Sequence, residues 1–127
     1  MYLRVKDLYT FNAKPAVAPT AGLKEIIVEI TKSRLGATAV ISNEGEITGI
    51  ITDGDLRRML ETSDRLENIK ASDILTPHPK TILADELAIN ALDVLTGNDI
   101  SQLVVISETQ NYLGMLHIHD LIKEGIV

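Results

Sequence analysis

The residues best suited to chemistry lie in one short segment, 49–58. It reads Gly-Ile-Ile-Thr-Asp-Gly-Asp-Leu-Arg-Arg, so that Thr52 follows two apolar residues and Asp55 follows three positions later. If a helix starts here, its free N–H groups and the Thr52 hydroxyl could bind a phosphate, and the Asp55 carboxylate could accept hydrogen bonds from two ribose hydroxyls. This pattern suits a nucleotide. The alternative, which spacing alone favours, is that Thr52, Asp53 and Asp55 simply cap the helix.

A related segment at 114–121 reads Gly-Met-Leu-His-Ile-His-Asp-Leu, with His117 in the place of Thr52. His117, His119 and Asp120 could form a metal site if a strand ran through both histidines, because residues two apart on a strand point the same way. We expect the strand to end near His117, which removes that geometry, so no metal site is predicted. The open alternatives are neutral imidazoles that bind a ligand phosphate or hydroxyl, and residues that only start a helix.

Motifs of common enzymes are absent from the sequence. There is no Gly-x-Ser-x-Gly, no Walker loop, no Gly-x-Gly-x-x-Gly and no His-Glu-x-x-His. With no cysteine, the chain can form no disulfide and offers no thiol for catalysis or metal binding, which fits a reducing compartment. We therefore expect a binding module and no catalytic residues.

Composition narrows the possible partners. The net charge of the 127 residues is −6, and it falls entirely in the second half, since residues 66–127 carry three basic and nine acidic groups. A nucleic-acid surface needs clustered basic residues and stacking aromatics, and this chain has no Trp and only 3% aromatic residues. No apolar run is long enough to cross a bilayer, and no secretory signal is visible. We expect a cytoplasmic protein that binds neither nucleic acid nor membrane.

An internal repeat organises the chain. Shifting the sequence by 65 residues aligns 36–57 with 101–122 without a gap, and the residue classes match along the alignment. We therefore predict two repeats, 1–65 and 66–127, linked by the polar segment 62–72. A repeat of about 60 residues is near the lower limit for an independent hydrophobic core, so the two are expected to pack against each other.

The first helix of each repeat has a clear apolar stripe. Thr20 and Asp85 are the predicted N-caps, and Gly36 and Gly97 are expected just past the helix ends. Apolar residues recur at i, i+3, i+4 and i+7, which is typical of a helix with one buried face. These stripes are Leu23, Ile26, Ile27 and Ile30 in the first repeat, and Ala88, Ala91, Leu92 and Leu95 in the second.

Two short apolar runs then flank polar turns at 43–46 and 108–111, which predicts a hairpin in each repeat. A second helix follows, starting at Asp53 or Asp55 in the first repeat and covering 119–124 in the second. The predicted fold class is α+β, with two β-α-β-β-α repeats packed as a pseudo-two-fold pair.

The repeated Gly-apolar-apolar-(Thr or His)-x-x-Asp junction in this frame resembles tandem cystathionine-β-synthase-type domains, the CBS pair or Bateman module. The resemblance covers essentially the whole chain. More narrowly, 52–58, 116–127 and the opening Leu-Arg-Val-Lys-Asp at 3–7 resemble the C-terminal CBS pair of the arabinose-5-phosphate isomerases of Kdo biosynthesis. In that family a sugar-isomerase (SIS) domain carries the active site and precedes the pair. No SIS domain lies in this sequence, so the resemblance implies a regulatory region.

The resemblance also implies ligands and partners. CBS pairs bind nucleotides in the cleft between their repeats and typically dimerise, so we expect a homodimer and a covalently linked SIS domain in the parent protein. No cofactor is required, and the candidate regulatory ligand is the end product CMP-Kdo or another cytidine nucleotide. The alternatives are a generic module for AMP, ATP or S-adenosylmethionine, and a pure dimerisation module. A ligand would control the enzyme only by binding two orientations of the repeats with different affinity.

Carried over by position, Thr52 matches the family's phosphate-contacting Thr, and Asp55 and Asp120 match its ribose-contacting Asp residues. His117 departs from the usual Thr. Arg57 and Arg58 are candidates for a sugar carboxylate or a phosphate, and the alternative, favoured for at least one of them, is a solvated helix face. Six residues are expected to face the base: Val17, Ala18, Thr38, Ile82, Ser101 and Gln102. The complete predicted ligand-binding set adds to these Thr52, Asp53, Asp55, Arg58, His117, His119 and Asp120.

Overall fold

A computed structural model describes residues 2–126 and has the predicted α+β character. In chain order its elements are α1 (Lys6–Tyr9), β1 (Ala16–Val17), α2 (Leu23–Ser33), β2 (Ala37–Ile41), β3 (Ile47–Thr52), α3 (Asp53–Thr62), α4 (Ala71–Ile74), β4 (Thr81–Leu83), α5 (Ala88–Gly97), β5 (Gln102–Ile106), β6 (Tyr112–His117) and α6 (Ile118–Lys123). Each repeat follows the predicted order β-α-β-β-α. Each repeat begins with a one-turn helix that was not predicted, α1 in the first repeat and α4 in the second.

Contacts divide the chain differently from the sequence repeat. The middle unit is Pro15–Pro79, and the terminal unit joins the residues through Lys14 to those from Lys80 onward. The one-turn helix of each repeat therefore belongs to the unit that holds the sheet of the other repeat. The boundaries 1–65 and 66–127 stay a prediction about the duplicated sequence, and the compact units do not coincide with them.

The two sheets share one topology. Their strand orders are β1-β2-β3 and β4-β5-β6, with a parallel pair followed by an antiparallel pair. The antiparallel register pairs Thr52 with Ala37 in the middle unit and His117 with Gln102 in the terminal unit. Both residues thus end the last strand of their sheet at equivalent positions, and a helix begins directly after each.

Each unit has its own hydrophobic core, in which strand residues on one face of the sheet pack with residues of α2 in the middle unit and of α5 in the terminal unit. The core of the middle unit consists of Val17, Ala21, Ile26, Ile30, Val40, Ile51 and Ala71. The core of the terminal unit consists of Val5, Leu8, Ile82, Ala88, Ala91, Leu95, Leu103, Val105, Leu116 and Leu121. The stripe prediction is confirmed for most positions, but Ile27 is 43% exposed and faces away from the core.

The predicted caps of the first helices are wrong. Helix α2 begins after Gly22 and helix α5 after Leu87, and neither start has a side-chain cap. Asp85 instead forms a salt bridge with Lys6, at 2.9 Å from its Nζ, and so fastens α1 to the loop before α5. Helix α2 ends at Arg34 in a left-handed conformation (φ 60°), two residues before the predicted Gly36. Polar residues that suit a cap also suit a turn, and the local pattern does not distinguish them.

The second helices begin where the strands end. Helix α3 starts at Asp53, one of the two predicted starts, while α6 starts one residue before its predicted range. Both hairpins are confirmed, and their turns contain Gly45 (φ 82°) and Gln110 (φ 67°). Across residues 2–126, none of the helices combines the length and the hydropathy that a membrane span requires.

Candidate functional site

The first junction, where β3 meets α3, is closed by a capping box. The Asp55 backbone N–H donates to Thr52 Oγ1 at 3.3 Å, and the Thr52 backbone N–H donates to Asp55 Oδ2 at 2.9 Å. The Thr52 hydroxyl also lies 3.2 Å from Asp55 Oδ2 and donates to it. Two N–H groups that a helix start leaves unpaired are thereby satisfied. Thr52 and Asp55 therefore cap α3, while the Asp53 side chain takes no part in this capping box.

The second oxygen of the same carboxylate holds two other groups. Asp55 Oδ1 accepts from Arg58 Nη2 at 2.6 Å and from the Thr76 hydroxyl at 2.9 Å. Only 6% of the Asp55 side chain is exposed, against 68% for Arg58. A buried carboxylate needs such partners, because an unpaired charge in a low-dielectric interior is costly. Asp55 thus ties together the helix start, the next turn of α3 and a residue far along the chain.

The glycine of the first junction accommodates the protein's own chain. A Cβ at Gly49 would lie 2.6 Å from the Thr76 carbonyl oxygen and 2.8 Å from Leu75 Cδ1. The next residue, Ile50, exchanges two backbone hydrogen bonds with Thr76, at 3.0 and 2.8 Å. The absence of a side chain at Gly49 therefore permits the close approach of the segment after α4.

The outer surface of the first junction is open and basic. Asp53, Arg57 and Arg58 are exposed, and the Asp53 N–H donates to the Gly36 carbonyl at 3.1 Å. A Cβ built on Gly54 would lie 3.5 Å from both Arg58 Nη1 and Thr52 Oγ1. Gly54 therefore lies within van der Waals reach of a guanidinium and a hydroxyl at the N-terminus of a ten-residue helix. The guanidinium and the helix N-terminus can bind an anion, whereas the Thr52 hydroxyl already donates to Asp55.

The second junction, where β6 meets α6, uses a histidine for the same capping task. The His117 backbone N–H donates to Asp120 Oδ2 at 2.8 Å, and His117 Nδ1 accepts from the His119 backbone N–H at 3.0 Å. Asp120 Oδ2 also accepts from Asn12 Nδ2 at 2.8 Å, and the same amide donates to the Met115 carbonyl at 3.0 Å. The junction carboxylate is again held from a distant part of the chain.

Because His117 Nδ1 acts as an acceptor, the cap requires a neutral imidazole. Burial lowers the pKa of His117 below its usual value, the nearby His119 lowers it further, and the Asp120 carboxylate opposes both. The centroids of the His117 and His119 rings are 4.4 Å apart. Within residues 2–126, no three His, Asp or Glu side chains are grouped as metal ligands would be.

A polar recess of about 180 Å³ adjoins the second junction. Its lining includes Asp120 and Asn12, together with Asp7, Leu8, Phe11, Lys123 and Glu124. Phe11 is 88% exposed. Asp120 is therefore reachable from this recess, in contrast to the enclosed Asp55.

The six residues predicted to face a base, three in each unit, differ in their exposure. Val17 and Ile82 belong to the cores, and Thr38 is fully buried with its hydroxyl donating to the Ala39 carbonyl at 3.1 Å. Ala18 is half-buried. Ser101 is exposed, and its carbonyl accepts from the Ile118 N–H at 2.9 Å. Gln102 is half-buried opposite His117.

Two residues that hold the junction carboxylates were missed by the sequence analysis: Thr76 and Asn12. Thr76 does fall in a repeated pattern, because Asp-Leu-Tyr-Thr at 7–10 matches Asp-Ile-Leu-Thr at 73–76. The equivalent Thr10, however, donates to the Lys6 carbonyl and touches no junction carboxylate. The pattern alone therefore gave no usable signal for this contact.

Comparisons with known proteins address the family. The family model described as CBS domain matches residues 5–62 and 71–126, once for each repeat. Among curated proteins, the arabinose 5-phosphate isomerase KdsD of Yersinia pestis is 35% identical over 128 aligned residues, which take in all of this chain. The chain corresponds to 39% of the length of that relative.

Solved structures agree on the fold. A CBS domain protein of Pyrobaculum aerophilum complexed with AMP superposes with a TM-score of 0.84 at 21% identity, covering 94% of this chain and 90% of its own. A CBS domain pair in complex with 5′-methylthioadenosine and S-adenosyl-L-methionine gives 0.84 at 19% identity, covering 98% and 97%. At these identities the likeness concerns the arrangement of the chain.

Proposed function

Because this chain belongs to the CBS domain family, we propose that it is the nucleotide-sensing regulatory region of a sugar-phosphate isomerase of the arabinose 5-phosphate isomerase type. The relative from Yersinia pestis bears that activity in its name and aligns with the whole of this chain. Since the chain corresponds to 39% of that relative, isomerisation is assigned to a linked SIS domain. In this proposal the CBS region senses the ligand, and the linked domain catalyses the isomerisation.

The observation that carries this proposal is the position of the exposed Arg58 guanidinium beside Gly54 at the start of α3. Arg58 Nη1 and Thr52 Oγ1 both lie 3.5 Å from the position that a Cβ would take there. A guanidinium presents five N–H donors, so Arg58 can keep its bond to Asp55 and still donate to a phosphate. The dipole of α3, which is ten residues long, adds favourable potential at the same point. We assign the surface over Gly54 to the phosphate of a nucleotide.

Asp55 is the proposed ribose residue, as its position in the motif implies. A vicinal diol donates two hydrogen bonds, which matches the two oxygens of a carboxylate. Both oxygens are engaged within the protein, so a ribose gains access to Asp55 only by replacing one of its partners. At the second junction, Asp120 is the equivalent proposal, and the recess of about 180 Å³ gives it an open approach.

A cytidine nucleotide coupled to a sugar acid, CMP-Kdo, is the proposed ligand. It carries a phosphodiester and a carboxylate, and the exposed neighbours Arg57 and Arg58 offer two cations for these two anionic groups. Feedback by the end product would suit an isomerase early in that biosynthesis. The second candidate is an adenine nucleotide, since the solved CBS structures named above hold AMP, or 5′-methylthioadenosine and S-adenosyl-L-methionine.

Self-association is a further part of the proposal. Ile27 and Val28 on the outer face of α2 are 43% and 53% exposed, and Leu60 on α3 is 57% exposed. Apolar side chains in such positions are typical of an interface between subunits. Sedimentation of the chain at several concentrations tests this point. A monomer at every concentration would leave the sensing role without its proposed homodimer.

The test of the sensing role is a binding measurement with CMP-Kdo, CMP, AMP, ATP and S-adenosylmethionine. A ligand at about 100 times its Kd adds about 2.7 kcal/mol of stability, which a thermal-shift assay detects. We expect CMP-Kdo to give the largest shift, and a larger shift with AMP or S-adenosylmethionine would favour the adenine-nucleotide module. The absence of a shift with all five compounds would refute nucleotide sensing and leave a dimerisation module.

The variant Gly54→Ala connects this binding to the site. Its Cβ meets no atom closer than 3.5 Å, so the fold is expected to remain intact, and Ala is a better helix former than Gly by up to about 1 kcal/mol. The methyl group occupies the proposed phosphate space, so affinity should fall at least tenfold. Gly97→Ala on α5, where no atom lies within 4 Å, is the matched control and should bind as the wild type does. Unchanged affinity in Gly54→Ala would place the ligand elsewhere.

A further inference from the structure

Thr76 is fastened to the first junction in two ways. Its backbone exchanges hydrogen bonds of 3.0 and 2.8 Å with Ile50 on β3, and its hydroxyl donates to Asp55 Oδ1 at 2.9 Å. The carbonyl of Thr76 also lies against Gly49, so closely that no side chain would fit between them. The segment after α4 is thus attached to the strand end and to the carboxylate that the proposed ligand would contact.

The terminal unit makes the same attachment with different chemistry. Met115 and Asp120 occupy the repeat positions of Ile50 and Asp55. There, the side-chain amide of Asn12 donates to the Met115 carbonyl at 3.0 Å and to Asp120 Oδ2 at 2.8 Å. One amide replaces a backbone bond and a hydroxyl bond of the other unit. Thr76 and Asn12 therefore bind equivalent partners in the two units although they differ in residue type. Duplication of one ancestral residue does not explain this match.

Both attached residues lie close to the points where the chain passes between the units. Thr76 is followed by Pro77, and the middle unit ends at Pro79. Asn12 precedes the other passage, between Lys14 and Pro15. We call residues 75–79 and 10–14 the crossover segments. Each is held at one end by a junction carboxylate, and each continues directly into the first strand of the other unit.

The bonding capacity of Asp55 dictates what a ligand must do. A carboxylate offers about four acceptor positions, and Asp55 fills four with the Thr52 N–H, the Thr52 hydroxyl, Arg58 and Thr76. Releasing the Thr52 N–H would uncap α3, and releasing Arg58 would separate an ion pair. Thr76 is an exposed residue, so its hydroxyl can bond to water instead. Its replacement leaves the helix cap and the ion pair intact.

We propose that Thr76 is a positioning residue that couples occupancy of the first junction to the adjoining crossover segment: a ribose hydroxyl that binds Asp55 displaces the Thr76 hydroxyl and loosens the segment. This step rests on the proposed nucleotide-sensing function. The loss of one hydrogen bond at the carboxylate then affects a segment of the chain that continues directly into the neighbouring unit. Because coupling is reciprocal, a segment that is already released raises the affinity for the ligand.

The test compares Thr76→Val, which lacks the hydroxyl, with Thr76→Ser, which retains it, and with Thr10→Val as the matched control. Hydrogen exchange is followed at the backbone amides of Ile50 and Thr76. Without ligand, Thr76→Val should exchange about tenfold faster there, while Thr76→Ser and Thr10→Val should match the wild type. Wild-type exchange in Thr76→Val would show that the hydroxyl does not hold the segment and would overturn the proposal.

The second arm uses CMP and AMP as separate probes. A saturating probe should speed exchange at the same two amides in the wild type, and Thr76→Val should bind that probe about tenfold more tightly because no competitor must leave. Unchanged or weaker binding by Thr76→Val, or amides that become more protected, would refute the release step. If neither probe binds any variant, release by these two nucleotides is refuted, whereas nucleotide sensing itself fails only if all five compounds of the thermal-shift assay give no shift. The ligand-free arm still decides whether Asp55 and Thr76 hold the segment.

Discussion

Replacing Asp55 by Ala removes every bond that the junction carboxylate makes. The Thr52 N–H loses its acceptor at 2.9 Å, the Thr76 hydroxyl loses its acceptor at 2.9 Å, and Arg58 loses its partner at 2.6 Å. An N–H left unsatisfied near the interior costs about 1–3 kcal/mol, and the loss of the hydroxyl bond costs about 1 kcal/mol. Arg58 is 68% exposed, so its release adds no more than about 1 kcal/mol.

The higher helix propensity of Ala returns roughly 0.5 kcal/mol, and the net loss of stability is therefore about 3 kcal/mol. For a chain of this size, that loss lowers Tm by about 10 °C. Urea denaturation followed by circular dichroism measures the free energy of unfolding directly. Asp53→Ala, which removes an exposed carboxylate from the same helix turn, is the control and should cost less than about 1 kcal/mol. A loss below about 1 kcal/mol for Asp55→Ala would refute the view that this carboxylate organises the junction.

Two further predictions concern proton binding and close packing. The pKa of His117 is lowered in the folded chain, so below pH 6.5 the unfolded state binds the proton more readily, and stability falls as the pH drops from 6.5 through the lower folded value. Unfolding midpoints measured from pH 5 to 8 should show this loss in the wild type and a smaller one in His117→Thr; parallel curves would contradict it. Gly49→Ala should cost about 2–3 kcal/mol in urea denaturation, because its Cβ would meet the Thr76 carbonyl oxygen at 2.6 Å and the backbone must shift. Gly97→Ala is again the control, and equal stability of the two variants would exclude a clash at Gly49.

Elements with a strong local pattern could be predicted from the sequence. The hairpins, the order β-α-β-β-α and the helix start at Asp53 follow from hydrophobic periodicity and short-range capping, which depend on neighbours within about four residues. The helix starts at Gly22 and Leu87 could not be predicted, because both lack a side-chain cap and are set by packing of the following apolar face. The one-turn helices α1 and α4 are too short to show a period.

The candidate site divides in the same way. Thr52 and Asp55 could be identified because their hydrogen bond joins residues only three positions apart. Asp120 could be identified because it is the repeat equivalent of Asp55. Thr38 was carried over from a family position, and the strand register turns its side chain to the core face that it shares with Val40. Its fully buried hydroxyl is bonded to a backbone carbonyl, and its predicted contact with a base remains untested.

By itself, the sequence determined the duplication, the α+β class and the two junctions, because these rest on residue spacing that a linear pattern records. Only the tertiary structure decided what each junction carboxylate binds: Asp55 meets Thr76, 21 positions away, and Asp120 meets Asn12, 108 positions away. It also decided that each repeat contributes its one-turn helix to the unit of the other. The physical reason is that such contacts depend on where the chain crosses between the units, and no local period encodes that crossing.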